Sequence, residues 1–165
     1  MILILTIIIL ALVIRHLNIN KGLKKIEQKL INIAGNGNVK RILKNKAFDF
    51  EVFYNSKTYL VKMIYHPTCA EINVNSRDYW QINKGTVSSR KSGEQMKGVY
   101  DLINFKSTDN NYPKNTVKLY VIYPDSRCLL KVLNECEMKF ITPDTDIYGT
   151  KVNRFIDLEE NFPKL

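Results

Sequence analysis

Seven residues, Tyr59-Leu60-Val61-Lys62-Met63-Ile64-Tyr65, restrict what this chain can fold into more than any others, because both alternating faces are apolar and only one charge interrupts them. A strand with one face in water alternates apolar and polar residues; a run like this one needs cover on both sides, as a central strand has between packed layers. Just before it, Phe48, Phe50, Val52 and Tyr54 alternate with Asp49, Glu51 and Phe53, and Asn55-Ser56-Lys57 supplies a turn. Ala47 to His66 therefore reads as a β-hairpin. Lys62 is its anomaly. An unpaired charge in a buried strand is costly, so this lysine requires a partner or a water-filled cleft.

The other extreme segment is Ile2 to Ile14, apolar except for Thr6. Its uninterrupted length suits a signal-peptide core, but no Lys or Arg precedes it and no small-residue cleavage site follows. Extended through Leu17 and Ile19 it makes about 28 Å of helix, enough for a signal anchor with Arg15 reaching toward the headgroups. Arg15, Lys21, Lys24, Lys25 and Lys29 all lie on its C-terminal side. The positive-inside rule then predicts a single-pass protein of the cell membrane, held through residues 2–17, with its body in the cytoplasm. Residues 1–19 form the expected anchor and 20–165 the expected domain, of ordinary size for a single core. The competing reading makes the apolar run a buried helix of a soluble fold.

Between these landmarks the pattern predicts a second helix capped by Asn18 or Asn20, with Leu23, Ile26, Leu30, Ile33 and Ala34 on one stripe and Gly35-Asn36-Gly37-Asn38 as its stop. A short strand over Val39 to Leu43 leads into the hairpin. Ala70 to Val74 is extended, Ser76 or Asp78 begins a helix containing Tyr79, Trp80 and Gln81, and Lys84 to Lys97 is a basic loop without apolar periodicity. Val99 to Phe105 is helical and Val117 to Tyr123 a buried strand. Ser126 caps a helix running through Cys136, and Met138 to Ile141 starts a last strand. Cys69, Cys128 and Cys136 show no paired spacing, and with only His16 and His66 beside them they form no recognisable metal cluster. Reduced core cysteines are the expectation.

An amphipathic helix bearing Glu27, a strand, a hairpin with Asp49 at its start, a helix bearing Gln81, and then strand, helix and strand together resemble the PD-(D/E)xK nuclease superfamily over roughly residues 21–155. The resemblance implies an α/β restriction-endonuclease-like fold, a mixed sheet flanked by helices, here preceded by one transmembrane helix. In that family an Asp at the hairpin start and an acidic residue on the second strand hold a divalent metal, and a Lys two positions on helps activate water. Asp49 matches the first. With Lys62 as the motif lysine, Leu60 replaces the carboxylate; two residues later, Lys62 replaces the carboxylate and Ile64 the lysine. A hard cation such as Mg²⁺ needs several oxygen ligands, so Asp49 alone should hold it poorly unless Glu27 and Glu51 compensate.

Three functions follow as expectations. The first is a membrane-anchored, catalytically inactive nuclease-like domain, needing no cofactor, whose Lys84, Arg90, Lys91 and Lys97 bind nucleic acid or another polyanion while Tyr79 and Trp80 stack on bases. A net charge of +9 suits an acidic partner. The second is an active Mg²⁺-dependent nuclease with a rearranged site of Glu27, Asp49, Glu51 and Lys62. The third is a membrane-surface scaffold whose basic residues 21–29 read acidic lipid and whose domain holds a protein. Oligomeric state has no signature in the sequence.

Overall fold

The computed structural model of the chain describes residues 2–43, 45–66, 70–84, 93–96, 99–105, 112–134 and 136–165. It opens with helix α1 (Ile2–Ala34), one continuous rod that crosses the expected boundary at residues 19 and 20 without a break. Asparagine favours helix ends by offering its side chain to an unpaired backbone N–H. Asn20 instead meets His16 one turn back, Nδ2 to Nε2 at 2.9 Å, so nothing interrupts the ladder there. The rod ends at Gly35, whose φ of +87° suits a residue without Cβ and whose N–H bonds back to the Ile31 carbonyl at 2.8 Å.

The strands follow as β1 (Val39–Arg41), β2 (Phe50–Tyr54), β3 (Lys57–Tyr65), β4 (Glu71–Val74), β5 (Trp80–Asn83) and β6 (Glu94–Gln95). Helix α2 (Tyr100–Asn104) comes next, then β7 (Thr116–Tyr123), β8 (Cys128–Asn134), β9 (Glu137–Phe140), β10 (Lys151–Arg154) and α3 (Leu158–Asn161). The hairpin forms with a tighter turn than expected. Asn55 and Ser56 alone turn it, both at positive φ (48° and 60°), and Lys57 already pairs with Tyr54. Two left-handed residues match the twist of the flanking strands, which is why such turns are favoured.

The fold is mixed α/β with two mixed sheets where one was expected. The first has the order β1-β2-β3-β7-β10, with β3, β7 and β10 parallel; the second has the order β6-β5-β4-β8-β9, with β4 and β8 parallel. One face of the first sheet presents Phe50, Val52, Tyr59 and Val61 to Ile26 and Leu30 of α1 and to Leu158 and Phe162 near the C-terminus. Its other face presents Leu60, Ile64, Tyr120 and Ile122 to Ile72, Trp80 and Leu129 of the second sheet and to Leu102 of α2. Strand β3 is thus covered on both faces, by helix on one side and by a second sheet with a short helix on the other.

Two expected helices are strands. Ser76 does not cap a helix: its hydroxyl accepts from the Tyr79 N–H at 3.1 Å, while Asn75 and Ser76 both donate to the Tyr79 carbonyl, closing a turn that delivers β5. Trp80 then falls in the core, fully buried and edge-on to Tyr120 with ring centroids 5.4 Å apart. The segment after Ser126 is β8, because a short run such as LLKVL fits either period until its neighbours decide. Here β4 on one side and β9 on the other take its hydrogen bonds, and Leu129 and Leu130 are both buried on its opposite faces. Strand β10 and α3 were not anticipated.

Only the second half of α1 belongs to the core. Between Leu3 and Leu17 the large apolar side chains are exposed, and none of its most apolar 18-residue stretch is covered by the rest of the chain. This helix is long and apolar enough to cross a membrane, as a span or a signal sequence would. Within the second half Gly22 admits the Tyr123 ring from the end of β7; a Cβ there would stand 2.6 Å from the ring.

Candidate functional site

Asp49 stands one residue before β2, held by its own N–H to the Val61 carbonyl and by its carbonyl to the Ile42 N–H, both at 2.8 Å. Because β2 starts only at Phe50, the Met63 N–H on β3 lies beyond the β2 ladder. The Asp49 carboxylate supplies the acceptor, Oδ2 receiving that N–H at 2.8 Å, while Oδ1 pairs with the Lys62 ammonium at 3.1 Å. Both side chains are about four-fifths buried. The lone charge within the apolar run of residues 59–65 therefore has its partner, and the carboxylate that would ligate a metal is engaged on both oxygens.

The other two carboxylates are placed elsewhere. Glu51 lies opposite Lys40 on β1 and Leu60 on β3, near enough to Tyr112 to help burial push that phenol above its ordinary range. Glu27 on α1 faces Arg41 at 3.7 Å. Arg41 shares a strand face with Val39, which packs in the α1-side cluster, whereas Lys62 shares one with Leu60 and Ile64 on the side of the second sheet. Glu27 thus works across the first sheet from the Asp49–Lys62 pair. Among the described residues no group of three or more His, Cys, Asp or Glu side chains is placed to hold a metal ion. Asp49, Glu51 and Glu27 are brought onto adjacent elements without converging.

Of the expected basic surface, Lys84 pairs with Glu94 at 2.8 Å. Arg90, Lys91 and Lys97 lie outside the described residues. Tyr79 is partly exposed and remains open to a ligand, but Trp80 is not, being sealed between the sheets. Gln81 sits on strand β5 rather than on a helix.

Sequence reasoning missed a second polar cluster. Glu71 on β4, 3% exposed, accepts from the side-chain amides of Asn73 and Asn83 at 3.3 and 3.2 Å on one oxygen, and the Cys128 thiol and the Arg127 guanidinium approach the other at 3.7 Å. Burial and then the Glu71 charge push the Cys128 thiol above its ordinary range, which leaves it a protonated donor rather than a nucleophile. The signal for this cluster was the polar alternation Glu71, Asn73 in an otherwise apolar strand. Its partners come from β5 and the start of β8, the two segments read as helical.

No family model, curated protein or solved structure matches this chain. The arrangement therefore speaks through its own chemistry. An acidic side chain engaged by an ammonium and a backbone N–H can fix two strands together.

Proposed function

We propose that this protein is a membrane-anchored, catalytically inactive nuclease-like domain that binds nucleic acid or another polyanion. The observation that carries the inactive reading is the Asp49 carboxylate, occupied on one oxygen by Lys62 and on the other by the Met63 N–H. A cation would have to displace an ammonium already in place, and metal-assisted phosphodiester cleavage needs that position open. Support for the architecture comes from α1 packed on a sheet that holds the hairpin β2–β3, with β7 parallel to β3. Support for the anchor comes from the bare apolar half of α1 followed by exposed Lys21, Lys24 and Lys25. On this reading the domain is cytoplasmic.

The test is incubation of the full-length protein in detergent with DNA and with RNA, with Mg²⁺ or Mn²⁺. We expect no cleavage, and binding that falls steeply with salt and hardly depends on sequence. Replacing Arg90 and Lys91 by Ala should flatten the salt slope by about two, one unit per lost phosphate contact. Metal-dependent cleavage lost in a folded Asp49→Ala protein would promote the active-nuclease reading instead. The exposed lysines beside the apolar half of α1 favour one second reading, a scaffold lying on acidic lipid; no nucleic-acid binding at low salt would select it.

A further inference from the structure

Among the described residues the two sheets end in four edge strands. On the first sheet β1 and β10 are partly covered; on the second β6 is two residues long, whereas β9 has four residues and all are exposed. Ile141, just after β9, donates its N–H to the Leu129 carbonyl at 2.9 Å. Antiparallel pairs alternate between bonded and unbonded positions. With Leu130 opposite Phe140 and Val132 opposite Met138, the bonds to β8 are therefore made at Lys139, and Met138 and Phe140 turn their backbone groups to the free side. No described strand pairs with that side. An open row of N–H and carbonyl groups is a template for another strand, which natural edges blunt with lysine, proline or a bulge.

The charges of β9 select which strand it accepts. Lys139 has the like charge of Lys131 opposite it on β8, and its acid, Glu137, lies on its own strand at 3.9 Å, with both side chains more than half exposed. When a second β9 approaches antiparallel, backbone bonds form only where residues with free groups face each other. Centred on Lys139, that pairing sets lysine against lysine; centred on Glu137, it sets glutamate against glutamate; centred on Phe140, it leaves Lys139 opposite Ile141. Centred on Met138, it sets Glu137 opposite Lys139 twice. Like charges directly opposite oppose strand pairing and unlike charges favour it. The same register brings the two Met138 side chains, each 46% exposed, together on the other face, and lays Phe140, 70% exposed, opposite the exposed Cys136 of the second copy.

We propose that β9 pairs antiparallel with β9 of a second copy of this chain, about a two-fold axis at Met138, with Glu137 opposite Lys139. Two four-residue edges make an interface below the ~1,200 Å² of standard ones, so the dimer is weak and concentration-dependent. It uses none of Asp49, Lys62 or the basic loop, so it stands or falls apart from the polyanion reading.

The experiment is sedimentation of the full-length protein in neutral detergent up to about 1 mM, the weak end of specific affinities. It is joined to oxidative cross-linking of Met138→Cys in a Cys136→Ser background. Opposed residues that exchange backbone bonds have Cα atoms about 5.5 Å apart, within reach of a disulfide, so we expect a dimer band that the Cys136→Ser parent lacks. Lys139→Glu gains Lys131 as an unlike neighbour within the sheet and should fold, but it sets glutamate against glutamate twice between copies. It should weaken association by about tenfold or more, and adding Glu137→Lys should restore it. A monomer at every concentration with no cross-link overturns the proposal. So does a dimer that Lys139→Glu leaves unchanged, and so does a loss that the double exchange fails to reverse.

Discussion

At Asp49 a single carboxylate completes a strand ladder and neutralises a lysine, and removing it undoes both. Breaking a fully buried pair costs about 3–5 kcal/mol; with both partners one-fifth exposed, water softens the penalty, and we expect Asp49→Ala to lower stability by about 2–3 kcal/mol in a denaturant titration. Asp49→Asn keeps the acceptor for Met63 and should lose less. Cys128 offers a second check. Its thiol is pushed up by burial and by Glu71, so alkylation should lag behind that of exposed Cys136 at neutral pH and rise only as pH climbs past the ordinary thiol range. Glu71→Gln should bring that rise to lower pH, as followed by mass spectrometry in a Cys69→Ser background. The need for a Lys62 partner was legible from sequence because one ammonium in seven strand residues has few ways to survive. The Glu71 cluster was not, since a side chain's partners can be named only when the strands that deliver them are known.

At the level of elements, tertiary context overrode local preference where the sequence left two periods open. Trp80-Gln81-Ile82 and Leu129 to Leu133 each carry enough apolar residues for a helical stripe, but a strand beside them with unpaired N–H and carbonyl groups settles the matter. The β-hairpin was legible because alternation, turn residues and length agreed. The helix α1 stripe was too, its Ile26 and Leu30 being fully buried. Gly22 gives a prediction in which two effects oppose. Alanine in a helix interior is favoured over glycine by up to about 1 kcal/mol, yet a methyl group 2.6 Å from the Tyr123 ring forces that ring, or the end of β7, to move. Overpacking of this kind costs about 1–3 kcal/mol, so the net effect of Gly22→Ala should be destabilising by about 1–2 kcal/mol in thermal unfolding. A stabilised variant would mean that the ring moves aside freely.

On the scale of the whole molecule, α1 carries a bare apolar half and a half packed in the core on one backbone. Deleting residues 1–17 removes side chains that touch no core, and the remaining protein should be soluble and fold cooperatively. Deleting residues 1–34 also removes Ile26 and Leu30, each worth about 1.5–3 kcal/mol when fully buried, together with the partly buried Leu23 and Ile33. That loss is comparable to the whole stability of many domains, and circular dichroism should report an unfolded or aggregated chain. Because the same helix carries both halves without a hinge, it also acts as a keyed shaft. With the bare half inserted in a bilayer, as proposed, each residue advances the helix by about 100° and 1.5 Å, so the angle at which the domain would face the bilayer is indexed to the number of residues between Leu17 and Gly22. One inserted alanine there should swing the domain to another side of the shaft, and seven should nearly restore its heading while lifting it by about 10 Å, differences that spin labels on the domain in lipid nanodiscs would read as depth and azimuth.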